Sequence, residues 1–92
     1  MPSPRCIAVD VDGTLFSAKR PRRVNRRLVS SVRAKANEGW DVIVWSMRGS
    51  VYARRAARAA GLDDVAVCVS KPGVIVDDIG LDWLRGCRVV RP

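Results

Sequence analysis

Apolar residues along this chain fall in short unbroken runs that end on polar or acidic residues, and the runs alternate with stretches of helical spacing. Residues 5–11, RCIAVDV, are apolar and β-branched up to an acidic end before Gly13, which predicts a buried first strand entering a tight turn. Residues 13–23 follow neither period and contain Pro21, so they predict a loop or short hairpin. From Val24 to Asn37 the apolar positions Val24, Leu28, Val29, Val32 and Ala36 form a helical stripe, with Gly39 as the stop. Residues 41–46, DVIVWS, predict a second buried strand, and Ser50 is placed to cap a second helix that Gly61 closes after Ala60. Residues 65–69 and 74–76 predict two more strands around the turn Ser70-Lys71-Pro72-Gly73, followed by a helical turn at 81–84 and a last short strand at 87–90.

Strands that are continuous apolar runs, separated by helices, indicate a parallel sheet covered on both faces. The expected fold class is therefore α/β: one Rossmann-like three-layer domain spanning 1–92, with a mainly parallel sheet of about five strands and no room for a second core. In such sheets ligands bind beyond the carboxyl ends of the strands, which is where the polar residues of this chain accumulate.

Asp10 and Asp12 end the first strand, and residues two apart on a strand point the same way. Asp77 and Asp78 end the fourth. If these strands are neighbours, the carboxylates meet in a small volume where their mutual repulsion calls for a divalent cation, and hard oxygen donors suit Mg2+. Either pair taken alone is also an ordinary turn sequence at a strand end. Ser46 and Lys71 end or follow the other two strands, so a hydroxyl and a cation share the rim with the carboxylates, a mixture suited to a phosphate group.

Charge and cysteine content change the picture in two respects. There are 17 Lys and Arg against 9 Asp and Glu, a net +8, which favours polyanionic partners such as nucleic acid or phosphorylated ligands, or simply maintains solubility. Cys6, Cys68 and Cys87 are odd in number, lack C-x-x-C spacing and adjoin apolar residues, so they read as buried small hydrophobes in a reducing, cytoplasmic setting. The N-terminal MPSPRC has no apolar signal core, and no run approaches the roughly 18 apolar residues of a bilayer span, so no membrane role is expected. Trp40, Trp45 and Trp83 read as packing residues, and Tyr52 carries no signal.

The run D-V-D-G-T-L at 10–15 resembles the first motif of the haloacid dehalogenase-like (HAD) hydrolase superfamily, which is largely phosphatases. Ser46 closing DVIVWS resembles that family's second motif, Lys71 in SKPG its third, and Asp77-Asp78 its acidic fourth, so the resemblance covers nearly the whole chain. It implies a Mg2+-dependent phosphatase in which Asp10 is the nucleophile forming an aspartyl-phosphate and Asp12 the general acid and base. Ser46 and Lys71 would bind and neutralise the phosphoryl group, and Asp77, with Asp78 assisting, would hold Mg2+ with Asp10 and the main-chain carbonyl of Asp12. Which of Asp77 and Asp78 touches the metal stays open. Arg48 in W-S-M-R-G resembles an arginine that binds substrate phosphate in some of these phosphatases; it also reads as an exposed turn arginine.

Members of the superfamily commonly carry a cap domain after the first or third strand, and neither insertion is present between Asp12 and the first helix or between Val69 and Val74. A small capless phosphatase has an open site, which suits a large substrate or needs an oligomeric neighbour to exclude water. Lys19, Arg20, Arg22, Arg23, Arg26 and Arg27 should lie near the same rim, which suggests a phosphorylated polyanion such as a nucleic acid end. Two other readings stand beside this one. The first is a HAD-like scaffold, catalytically weak, that works as a nucleic-acid-binding or protein-interaction module. The second is a phosphoacceptor receiver-like domain, against which the order D-x-D-G-T argues.

Overall fold

A computed structural model describes residues 4–92; the first three residues of the N-terminal MPSPRC stretch lie outside the described residues. The elements follow in the order β1 (Cys6–Asp10), α1 (Arg26–Asn37), β2 (Asp41–Ser46), α2 (Ser50–Ala60) and β3 (Ala66–Ser70), with a 3-10 turn at Asp82–Gly86. The strands form a parallel sheet in the order β1-β2-β3. Val9 stands opposite Val44, Val44 opposite Cys68, and Ser46 opposite Ser70, so the three strands end on one rim.

Because the sheet grows in one direction, right-handed crossovers place α1 and α2 on the same face. The alternation of burial along β2 agrees. Val42, Val44 and Ser46 are buried beneath the helices, while Ile43 and Trp45 on the other face are only half-buried. The core is Val9, Val11, Leu15, Val32, Val42, Val44, Ala53, Ala56, Ala57 and Leu62. The three buried alanines let α2 approach the sheet closely, which a bulkier helix face would prevent.

Helix α1 starts at Arg26 rather than Val24, because the Asn25 side chain accepts a hydrogen bond from the Leu28 N–H at 3.1 Å and so occupies the cap. Ser50 is the first residue of α2 rather than its cap; Gly49 holds the cap position with a φ of 106°. At the other end Gly61, left-handed at φ 75°, lets its own N–H reach Arg58 O and that of Leu62 reach Ala57 O. Arg33 of α1 donates both to Gly61 O and to Asp64, clamping the two helices across this turn. That hydrogen bond holds the Asp64 carboxyl below its usual value, so its small surface contribution is present at neutral pH and lost as pH falls through the lowered folded value.

Three of the five expected strands form, and the expectation of a sheet covered on both faces is corrected. Residues 74–76 make no ladder, with Val74 82% and Val76 96% exposed, and 87–90 are likewise without strand structure. A three-residue run between Pro72-Gly73 and an acidic pair offers few ladder bonds to offset the entropy of ordering it. The face of the sheet opposite the helices consequently leaves Val67 63% exposed. Two smaller expectations also change: Cys6 and Cys87 are exposed rather than buried, all three cysteines being free, and Trp83 is 42% exposed. Trp40 packs instead against cations, with Lys35 Nζ 4.5 Å and the Arg5 guanidinium 6.0 Å from its ring centre.

Leu15 lies outside every regular element yet is fully buried, so the turn after β1 is folded by core packing. Leu15→Ala is expected to destabilise the protein by about 2–5 kcal/mol, the range for a buried leucine that leaves a cavity. Urea unfolding followed by circular dichroism measures it, and a loss below about 1 kcal/mol would refute the anchoring role.

Candidate functional site at the carboxyl rim of the sheet

The end of β1 turns sharply because Gly13 adopts a left-handed φ of 80°. Leu15 N–H donates to Asp10 O at 3.1 Å and Phe16 N–H to Val11 O at 3.0 Å, which brings Leu15 back into the core and leaves the Asp10 and Asp12 side chains on the rim. Phe16 then pairs with Val24, and Ser17 N–H donates to Arg23 O at 2.8 Å, closing the 17–23 segment into a small flap. The loop or short hairpin expected here is thus observed; its Arg20-Pro21 peptide is cis.

Around Asp10 the partners are a cation and a hydroxyl. Lys71 Nζ lies 3.0 Å from Asp10 Oδ1, and Thr14 Oγ1 donates to Oδ2 at 3.2 Å. Lys71 is held there from the backbone, since its own N–H donates to Ser46 O at 3.0 Å across the ends of β3 and β2. Ser46 is buried, and its Oγ accepts the Arg48 N–H at 3.0 Å, which leaves the hydroxyl proton free to donate.

Around Asp12 the partners are two guanidinium groups and a phenol. Tyr52 Oη donates to Asp12 Oδ1 at 2.6 Å, and Arg22 Nη2 donates to the same oxygen at 2.8 Å. The phenol oxygen in turn accepts from Arg22 Nη1 at 2.7 Å and from Arg48 Nη1 at 3.3 Å, so its hydrogen-bonding capacity is filled. The Arg48 guanidinium stacks on the Tyr52 ring at 4.3 Å and that of Arg22 on Phe16 at 5.2 Å. Arg48 also faces Asp12 Oδ2 at 3.8 Å, beyond hydrogen-bond reach, and that oxygen makes no hydrogen bond among the described residues.

Asp10, Asp12, Ser46, Arg48 and Lys71 are therefore brought to one rim. Asp77 and Asp78 are not gathered with them: Asp77 Oδ1 accepts the Ile79 N–H at 2.9 Å and shapes its own turn. Among the described residues no group of three acidic, histidine or cysteine side chains is assembled as a metal site. Sequence reasoning passed over Thr14 and Tyr52 and took Arg22 only as one of a basic run. A usable signal existed for Tyr52, because the first turn of a helix that follows a parallel strand borders the strand ends.

Comparison with known proteins gives one likeness of note. The chain is 40% identical over 83 residues to a phosphoglycolate phosphatase of Archaeoglobus fulgidus, a stretch that takes in 90% of this chain and 35% of that protein. The chain thus spans about a third of the length of this relative. The likeness supports a HAD-like reading of the motifs. No family model matches, and no solved structure does. Among the described residues no helix is long and apolar enough to cross a membrane.

The ion pair of Asp10 with Lys71 is about one-third exposed at both ends, so its contribution to stability is small. Asp10→Asn is expected to shift the unfolding free energy by less than about 1 kcal/mol. Thermal and urea unfolding of the variant measures this; a larger loss would show that Asp10 serves the fold.

Proposed function

We propose that the chain is a HAD-like phosphohydrolase: a Mg2+-dependent phosphatase that works through an aspartyl-phosphate on Asp10. The observation that carries this reading is the pairing of Asp10 with Lys71 and Thr14 on a rim where Asp12 keeps one carboxylate oxygen without a hydrogen bond.

In the first half-reaction Asp10 attacks phosphorus, the bond from phosphorus to the ester oxygen breaks, and that oxygen leaves with its electron pair and takes a proton from Asp12. In the second, Asp12 takes a proton from water as the water oxygen attacks phosphorus. The bond to Asp10 breaks, releasing inorganic phosphate and restoring the carboxylate. Lys71 stands against Asp10 where negative charge accumulates, and the Ser46 hydroxyl is free to donate to a phosphoryl oxygen.

The carboxylate donors of this chain fit Mg2+ on chemical grounds, although only Asp10 and Asp12 share the rim. The ion would be held by Asp10 and the main-chain carbonyl of Asp12, and would supply charge neutralisation of the phosphoryl oxygens. Phosphate release from an aryl phosphate, with and without Mg2+, tests the reading. The expected result is Mg2+-dependent turnover in the wild type, reduced at least a hundredfold in Asp10→Asn, on the scale of losing a nucleophile. Metal-independent turnover, or turnover that survives Asp10→Asn, would refute it.

A second reading, a nucleic-acid-binding or protein-interaction module on the same scaffold, is favoured by one observation, the ungathered Asp77 and Asp78. Under the phosphatase reading the net +8 and the basic flap favour a phosphorylated polyanion as substrate. Turnover of a 3'-phosphorylated oligonucleotide should then fall about tenfold or more between 50 and 200 mM salt, while that of the aryl phosphate changes little. Equal salt dependence would remove the polyanion. Oligonucleotide binding without turnover, undiminished in Asp10→Asn, would instead favour the module.

A further inference from the structure

The rim divides into two halves with different partners. Asp10 is met by Lys71 and Thr14, next to Ser46, whereas Asp12 is met by Arg22, Arg48 and Tyr52. In the reaction proposed above, which this inference rests on, the phosphoryl group sits against Asp10 and the leaving oxygen against Asp12. The groups around Asp12 therefore border the leaving group.

Their chemistry is one-sided. Two guanidinium groups face a single carboxylate, which leaves one positive charge unmatched within the cluster. Both arginines are accessible, with side-chain exposures of 39% for Arg22 and 64% for Arg48, and both are held by aromatic stacking rather than free to wander. Tyr52 links them, since its hydroxyl accepts from each while donating to Asp12. Each guanidinium carries five N–H donors, more than it spends on Asp12 and Tyr52, and the remaining ones can meet the oxygens of a carboxylate or phosphate.

We propose that Arg22, Arg48 and Tyr52 form a second anion site that selects substrates whose leaving group itself carries an oxyanion. Arg22 comes from the flap and Arg48 and Tyr52 from the β2–α2 turn and the first turn of α2, so the flap supplies part of this specificity. The incoming anion takes up the unmatched charge, and Asp12 keeps Oδ2 for proton transfer.

The test compares kcat/KM within two substrate pairs that differ only in the second anion. One pair is the phosphate monoester of 3-hydroxypropionate and its methyl ester; the other is a nucleoside 3',5'-bisphosphate and the 3'-monophosphate. The wild type is expected to prefer the charged member of at least one pair by roughly tenfold, the scale of one charge-assisted hydrogen bond. The pair that discriminates tells a carboxylate from a phosphate. Arg22→Gln and Tyr52→Phe should reduce that preference toward unity, with Arg22→Lys intermediate because it keeps the charge and loses the fork. A flap latch alone would lower both members of a pair equally. No preference in the wild type, or a preference untouched by both variants, would overturn the proposal. Should no ester be turned over at all, calorimetric binding of the same four compounds reads the same preference. Its presence in the wild type and loss in Arg22→Gln would uphold the anion site while the phosphatase reading falls, and its absence would overturn the anion site as well.

Discussion

The geometry of the rim depends on one packing constraint, the burial of Leu15 immediately after the acidic end of β1. A chain leaving a parallel strand is otherwise free to continue outward, and Asp12 would then move with it. Gly13 permits the reversal, and the core holds it, because Leu15 is fully buried among the core residues. The same step fixes the flap, since Asn25 N–H donates to Leu15 O at 2.8 Å and so ties the flap's far end to its near end. Asp12, the flap and its Arg22 are all positioned by an apolar side chain that carries no chemistry.

How much of this was legible in the sequence follows from which forces are local. The runs CIAVD, DVIVWS and AVCVS read as strands because they are apolar and rich in β-branched residues, although the uncovered face leaves Ala8 and Val67 exposed, and the glycines at 39 and 61 mark real helix ends. The helix starts were misplaced by one or two residues because Asn25 and Gly49 compete for the cap with neighbours of similar aptitude. The run at 74–76 has strand composition but no partner in the structure, and pairing is a tertiary property that three residues of sequence do not encode.

The site was legible to the extent that its residues sit at strand ends. Asp10, Ser46 and Lys71 could be placed on one rim from periodicity alone, as could Asp12 from its spacing to Asp10. Tyr52 was not, because its place depends on how far the first turn of α2 overhangs the sheet, and the reach of Arg22 depends on the fold of a flap without periodicity. Asp77 and Asp78 were read as strand-end residues of the rim, but they follow a run that makes no strand, so the inference from strand ends has nothing to act on there.

A rim built this way separates two electrostatic tasks that many sites combine. Near Asp10 one cation and one carboxylate balance, so that part of the rim carries no large fixed excess of charge. Near Asp12 the balance is tilted to the positive by a second guanidinium. The tilt arises from elements of different stability: Lys71 is fixed by a backbone hydrogen bond between strand ends, whereas Arg22 rides on a flap whose order depends on its own few hydrogen bonds and on stacking. The Asp10 half of the rim is thus tied to the sheet, and the Asp12 half is tied in part to the flap. That division follows from topology, because strand ends are held by the sheet and the flap is held only by what it touches.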